Sequence, residues 1–126
     1  MRSVDTNVLV RLIARDDAKQ TAAAESFVAN GAWVSHLVLI ETIWVLDSVY
    51  DRSASELATA IEMLLTHNHL TIQGEEVVSA ALETFKSLPK LGFSDCLILE
   101  VARKVGNLPL GTFDRGLSKL QGTEKL

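Results

Sequence analysis

Four acids in the 126-residue chain stand where a carboxylate has more to do than meet solvent. Asp5 lies between Val4 and the run Val8-Leu9-Val10, Glu41 is the only ionisable side chain from Leu37 to Leu46, Asp95 leads into an apolar helical stretch, and Asp114 comes just after Leu110-Gly111-Thr112. A charge at the edge or in the interior of an apolar element needs a partner or a metal. Two bare carboxylates about 4 Å apart repel by roughly 4 kcal/mol at an effective dielectric of about 20, so a cluster of such acids is partly protonated or recruits a cation. Oxygen ligands without His or Cys select Mg2+ or Mn2+ over zinc, and Mg2+ keeps several waters and bridges to substrate phosphate. The chemistry these residue types suit is therefore metal-assisted attack on a phosphate ester, on one condition: the four acids must converge in one pocket.

Singly, each acid has a plainer role. Asp5 and Asp114 suit helix or turn caps, Glu41 an exposed stripe on an otherwise buried helix, and Asp95 compensation of a helix dipole, which also favours its charged form. Only their joint occurrence at the ends of apolar elements turns the balance toward a site.

The elements that must position them alternate between strand and helix. Arg2 to Val4 reads as a strand, and Asp5 or Thr6 caps a helix carrying Val8, Leu9, Leu12 and Ile13. A helix from Ala18 to Ala29 stops at Asn30-Gly31, and Ala32-Trp33-Val34 is a second strand. Ser35 caps a helix that is apolar nearly all round, as in a centrally buried element. Ser53 opens another with Leu57, Ile61, Leu64 and Leu65 at helical spacing, before a strand His69 to Ile72. Glu75 to Ser87 is an amphipathic helix closed by Pro89, and a helix entered at Gly92 ends at Gly106-Asn107. Leu108 to Thr112 is a fourth strand, and Thr123 to Leu126 a short fifth. This order predicts parallel crossover units in a three-layer α/β/α sandwich, with a central parallel sheet of four to five short strands in a single domain over residues 1–126. In such sheets the site lies outside the carboxyl ends of the strands, where Asp5 and Asp114 fall.

Composition limits the classes of function. Hydrophobic residues make up 48% of the chain, which argues for a filled interior and against disorder. No run approaches the ~20 apolar residues of a spanning helix, and Asp5 interrupts the opening apolar stretch, so no membrane association or export signal is expected and a cytoplasmic location fits. The single Cys96 makes no internal disulfide and reads as a small core residue. A net charge of −4 is not the basic footprint of a dedicated DNA-binding module. Setting the four acids aside leaves 12 acids against 12 bases, a balance compatible with a nucleic-acid substrate. His67-Asn68-His69 lacks a local acid or Cys and reads as a helix-end turn. Trp33, Trp44 and Tyr50 have apolar neighbours that favour packing or a protein interface over base stacking.

In the order and spacing of Val4-Asp5-Thr6-Asn7-Val8-Leu9, Glu41, Ser94-Asp95-Cys96 and Thr112-Phe113-Asp114-Arg115, the chain resembles PIN-domain ribonucleases, in particular the VapC-type toxins of bacterial and archaeal toxin–antitoxin pairs. The resemblance spans nearly the whole length. It implies that Asp5, Glu41, Asp95 and Asp114 form a catalytic, metal-binding site for Mg2+ or Mn2+, with Thr6, Asn7 and Thr112 as supporting donors. It also implies an RNA substrate, a cognate antitoxin protein and a homodimer. Of the basic side chains, Arg11, Arg15 and Arg115 are the candidates for RNA-backbone contacts.

Two other functions compete. Asp5 as the nucleophile of a phosphoryl-transfer domain is the first, although the haloacid-dehalogenase phosphatases want a second Asp two positions on, where this chain has Asn7. A PIN-like module that only binds its partner is the second.

Overall fold

In the computed structural model, which describes residues 1–126, the chain divides into two compact bodies, Met1–Glu75 and Glu76–Leu126. Helices and parallel strands make up both, as an α/β fold requires.

The first body is built on three parallel strands, β1 (Arg2–Ser3), β2 (Ala32–Val34) and β3 (Leu70–Ile72), in that order across the sheet. Register is set by Arg2 opposite Ala32 and by Ala32 opposite Leu70. Single backbone bonds from Val4 N to the Trp33 carbonyl (3.2 Å) and from Gln73 N to the Val34 carbonyl (2.9 Å) carry the ladder past the strand ends. Parallel strands need crossovers, and here each crossover is a helix pair: α1 (Thr6–Ala14) with α2 (Ala18–Val28), then α3 (His36–Ser48) with α4 (Ala54–Thr66).

Side chains start these helices, Ser35 and Ser53 as the sequence suggests and Asp17 in addition. Asp17 accepts from Gln20 N (2.9 Å), and Ser35 from Val38 N (3.1 Å). Ser53 and Glu56 form a reciprocal capping box, which satisfies two orphan N–H groups at the start of α4. Arg15 ends α1 in the left-handed region (φ 54°), a place glycine usually takes. Leu9, Val10, Val34, Leu39, Leu46, Ile61 and Leu64 are buried almost completely. Each such side chain contributes about 1.5–3 kcal/mol by leaving water.

One expectation fails here. The helix α3 is not buried all round: Leu39, Thr42, Ile43 and Leu46 form its inner face, whereas Leu37 and Trp44 are 82% and 64% exposed. Composition told that the helix is apolar, but one helix has two faces, and only contacts decide which is covered. Glu41 lies on the outer stripe with Leu37 and Trp44.

The second body holds α5 (Glu75–Ser87) from its second residue on, a 3-10 turn at Pro89–Leu91, α6 (Phe93–Lys104), β4 (Leu110–Thr112), a 3-10 turn at Leu117–Lys119 and β5 (Thr123–Lys125). Phe85 of α5 meets Phe93 of α6 edge to face, with ring centroids 6.1 Å apart. The fifth strand is real, and it pairs in parallel with β4, Leu110 opposite Thr123. The predicted single sheet of four to five strands is thus replaced by a three-stranded ladder in one body and a two-stranded ladder in the other. Period-two patterning identifies a strand but not its neighbour; Leu110 N bonds the Gly122 carbonyl (2.8 Å) and Leu126 N the Thr112 carbonyl (2.9 Å), so β4 and β5 satisfy one another. The strand predicted from Leu108 begins only at Leu110, because Pro109 has no N–H to give to a ladder.

Candidate active site

In the first body the chain leaves the sheet at Asp5. Its backbone is extended (φ −97°, ψ −178°), and its Oδ1 accepts from Val8 N at 3.3 Å, which makes it the cap of α1. The plain reading of Asp5 therefore holds, but a cap uses one carboxylate oxygen and leaves chemistry for the other. Thr6, next in the chain, is buried, and its hydroxyl donates to Oε1 of Glu41. This bond ties the start of α1 to the middle of α3 and holds the Glu41 carboxylate near Asp5, the cap of α1. Asn7 is exposed and lines the groove between α1 and α2 with Val8, Arg11, Gln20 and Phe27.

In the second body Asp95 is the third residue of α6 and half-buried. Burial, and then the negative charge of Asp114, hold its carboxyl above the ordinary carboxylate range. The sequence expectation was the reverse, because a first-turn acid gains from the helix dipole. Desolvation and a like charge outweigh that gain here. Asp114 is held by its surroundings: its N–H donates to Thr112 Oγ1 (3.0 Å), and its Oδ2 accepts from Leu117 N (2.6 Å), capping the last 3-10 turn. Thr112 thus positions Asp114 through the backbone.

The structure brings the acids together as two sets, Asp5 and Glu41 linked through Thr6, and Asp95 with Asp114. No group of three or more His, Cys, Asp or Glu side chains that could hold a metal ion is present in the chain. Each set offers only carboxylate oxygens, the donor chemistry that suits a hard divalent cation. The unfavourable pairing of Asp95 and Asp114 is the electrostatic state that a cation relieves. Cys96, beside Asp95, is buried, and its thiol is pushed up to about 11 by burial and then by the charges of Asp95 and Glu100. It is a core residue and supplies no thiolate.

Two of the three arginines expected at an RNA backbone are engaged within the first body. Arg11 binds Gln20 Oε1 (2.5 Å), Asp16 (3.1 Å) and the Tyr50 hydroxyl (3.1 Å), and Tyr50 in turn donates to Asp16 (2.8 Å). Arg15 pairs with Glu25 at 2.7 Å. Arg115 is exposed and makes no ion pair. The Arg11–Asp16–Tyr50 cluster was invisible in the sequence because its members are up to 39 positions apart. Lys119, which lines a cavity with Asp114 and Lys90, was equally invisible, as one lysine in a short polar stretch.

The PIN domain family matches residues 3–122, a span that includes all four acids and runs through both bodies. Neither a curated protein nor a solved structure matches the chain.

Proposed function

The chain belongs to the PIN-domain family, a family of nucleases, and on that premise we propose that it is a Mg2+- or Mn2+-dependent endoribonuclease, the toxin half of a toxin–antitoxin pair. In this reading residues 1–126 act as one domain, and Asp5, Glu41, Asp95 and Asp114 are the acids that would hold the metal. The observation that carries it is the raised carboxyl of Asp95 beside Asp114, in a chain whose family match brackets the whole quartet. Acids perturbed by burial together with a specific charged neighbour mark functional sites more often than plain surface ones.

A divalent ion held there would supply a water of lowered pKa and neutralise charge developing on the phosphate. The chain's own residues do the rest. Thr6 orients the Glu41 carboxylate, and Thr112 and Leu117 N fix Asp114. Asp95, half-buried and beside Asp114, would be one of the carboxylates that hold the ion, whose charge would offset the repulsion between the two acids. Cleavage leaves a 5′-phosphate and a 3′-hydroxyl.

The wild-type chain is expected to cut RNA with Mg2+ or Mn2+, and Asp5→Asn to stop it. Equal cutting by both, or no cutting of a broad RNA panel by pure wild type, would overturn the assignment. The exposed Leu37 and Trp44 on α3 support a protein partner, either a second copy or an antitoxin. Sedimentation of the free chain tests the homodimer. Growth arrest on expression, relieved by the product of an adjacent reading frame, tests the antitoxin. No helix is long and apolar enough to cross a membrane, and we place the activity in the cytoplasm.

A further inference from the structure

Three of the seven cations of the second body are paired with acids. Arg103 pairs with Glu100 (3.4 Å), Lys104 with Glu76 (3.5 Å), and Lys86 with Glu83 (3.7 Å). Lys90 and Lys119 make no ion pair, and both line one open cleft of about 530 Å³ with Asp114 and Gly116. Its remaining walls are Ser87, Leu88, Pro89 and Leu91, an apolar surface along the turn that follows α5. The volume lies within the ~300–1,000 Å³ of sites that take small organic ligands. Two unpaired ammonium groups over an apolar wall suit a ligand with a flat apolar part and a phosphate. The single acid in the lining is partly spent, because Asp114 Oδ2 already accepts from Leu117 N at 2.6 Å.

Glycine at 116 keeps the cleft open. Its backbone is ordinary right-handed helical (φ −68°, ψ −48°), so no torsional need selects it. A Cβ there would sit 3.0 Å from Leu91 Cδ2 and 3.4 Å from Asp114 Oδ2. A side chain at 116 would push Leu91, one wall of the cleft, out of place.

We infer that the cleft between the Pro89–Leu91 turn and the Asp114–Lys119 segment is a nucleotide subsite for RNA, in which Lys90 and Lys119 take backbone phosphate and Leu88, Pro89 and Leu91 receive a base or ribose face. The inference rests on the ribonuclease reading and adds to it where a strand is gripped beside Asp114. Lysines act on phosphate as point charges, so the subsite sets affinity and register and leaves base identity largely unread.

The test is binding of a fluorescent ten-nucleotide single-stranded RNA to the full chain in EDTA, across a salt series, with cleavage measured separately in Mn2+. The double variant Lys90→Glu/Lys119→Glu is expected to bind at least about tenfold more weakly. The slope of log affinity against log salt should fall by about 1.4, two contacts at about 0.7 each for a single strand. Gly116→Ala is expected to weaken binding several-fold with the slope unchanged, since it alters shape and not charge. If wild type binds and cleaves while the double variant, folded by circular dichroism, binds equally well with the same slope, the subsite is wrong and the nuclease reading stands. If wild type neither binds nor cleaves RNA, both fail together.

Discussion

Asp16 in the first body and Asp95 in the second are carboxylates close to a helix start, and the folded chain moves them in opposite directions. Asp16 is held below the ordinary range, first by the hydrogen bond from Tyr50 and then by Arg11. Asp95 is held above it by burial and by Asp114. Overall charge does not explain this. The first body has ten acids and five bases, a net of −5, while the second has six acids and seven bases, a net of +1. The acid-rich body lowers one acid and the slightly basic one raises another, so local burial and immediate neighbours decide and not the total. The first body spends Arg11 and Arg15 on its own carboxylates. In the second, Asp95 has a like charge as its neighbour while Lys90, Arg115 and Lys119 make no ion pair.

The sharpest way to break this contrast is to neutralise one acid of each kind. Asp95→Asn and Asp5→Asn are expected to lower RNA cleavage at least about 100-fold, as loss of a metal-ligating charge does. Asp16→Asn should leave cleavage within a few-fold of wild type. Asn is as good an N-cap as Asp, so Asp5→Asn isolates the charge from the start of α1. Cleavage assays on proteins matched for melting temperature decide it. An Asp95→Asn enzyme as active as wild type would reduce the second body's acid pair to a structural accident.

A smaller effect should follow from Thr6→Val. The buried hydroxyl donates to Glu41, and its loss leaves the carboxylate unguided without removing it. We expect about a 10- to 100-fold loss of Mn2+ affinity by calorimetry, the usual range for a group that orients a ligand. Thr6→Ser, which keeps the hydroxyl, should recover most of it.

The pH dependence of stability sharpens the comparison by sign. Asp16, depressed in the folded state, contributes stability that is present above the unfolded carboxylate value near about 3.9 and lost as pH falls through its lower folded value. Asp95 does the reverse. Its contribution is fully present below about 3.9 and is lost as pH rises through its higher folded value. Metal-free Asp95→Asn should thus melt higher than wild type at pH 7 and converge with it in acid, whereas Asp16→Asn should melt lower at pH 7 and also converge in acid. Asp114→Asn should weaken the Asp95 effect without abolishing it, because burial is the larger cause. Thermal melts in chelator across this range read all three.

Local chemistry was legible in the sequence and assembly was not. The caps at Ser35 and Ser53, the turn at Asn30-Gly31 and the core placement of Cys96 follow from near neighbours, and all are present in the structure. Each depends on residues within about four positions. The division of the strands into two sheets, the exposed face of α3 and the state of Asp95 each depend on contacts beyond near neighbours, and each differs from the sequence expectation. For the site, residue type and position pointed to four acids. The Thr6–Glu41 bond and the commitment of Arg11 to Tyr50 depend on pairs 35 and 39 positions apart, which no local pattern encodes.

The weakest expected effect concerns the arginines, and it tests whether the bodies differ in what they offer a polyanion. Arg11 is bound to Gln20, Asp16 and Tyr50, so using it for phosphate would cost those bonds. Arg115 is exposed with no ion pair to break. Arg115→Ala should therefore weaken binding of single-stranded RNA a few-fold, equally for different sequences, and reduce the salt slope by about 0.7, the share of one phosphate contact. Arg11→Ala should leave that slope unchanged and instead lower the melting temperature, because its work is to tie Tyr50 at the end of α3 to the segment joining α1 and α2. If Arg11→Ala changes the salt slope and Arg115→Ala does not, the phosphate grip belongs to the first body, and the unpaired cations of the second carry no special meaning.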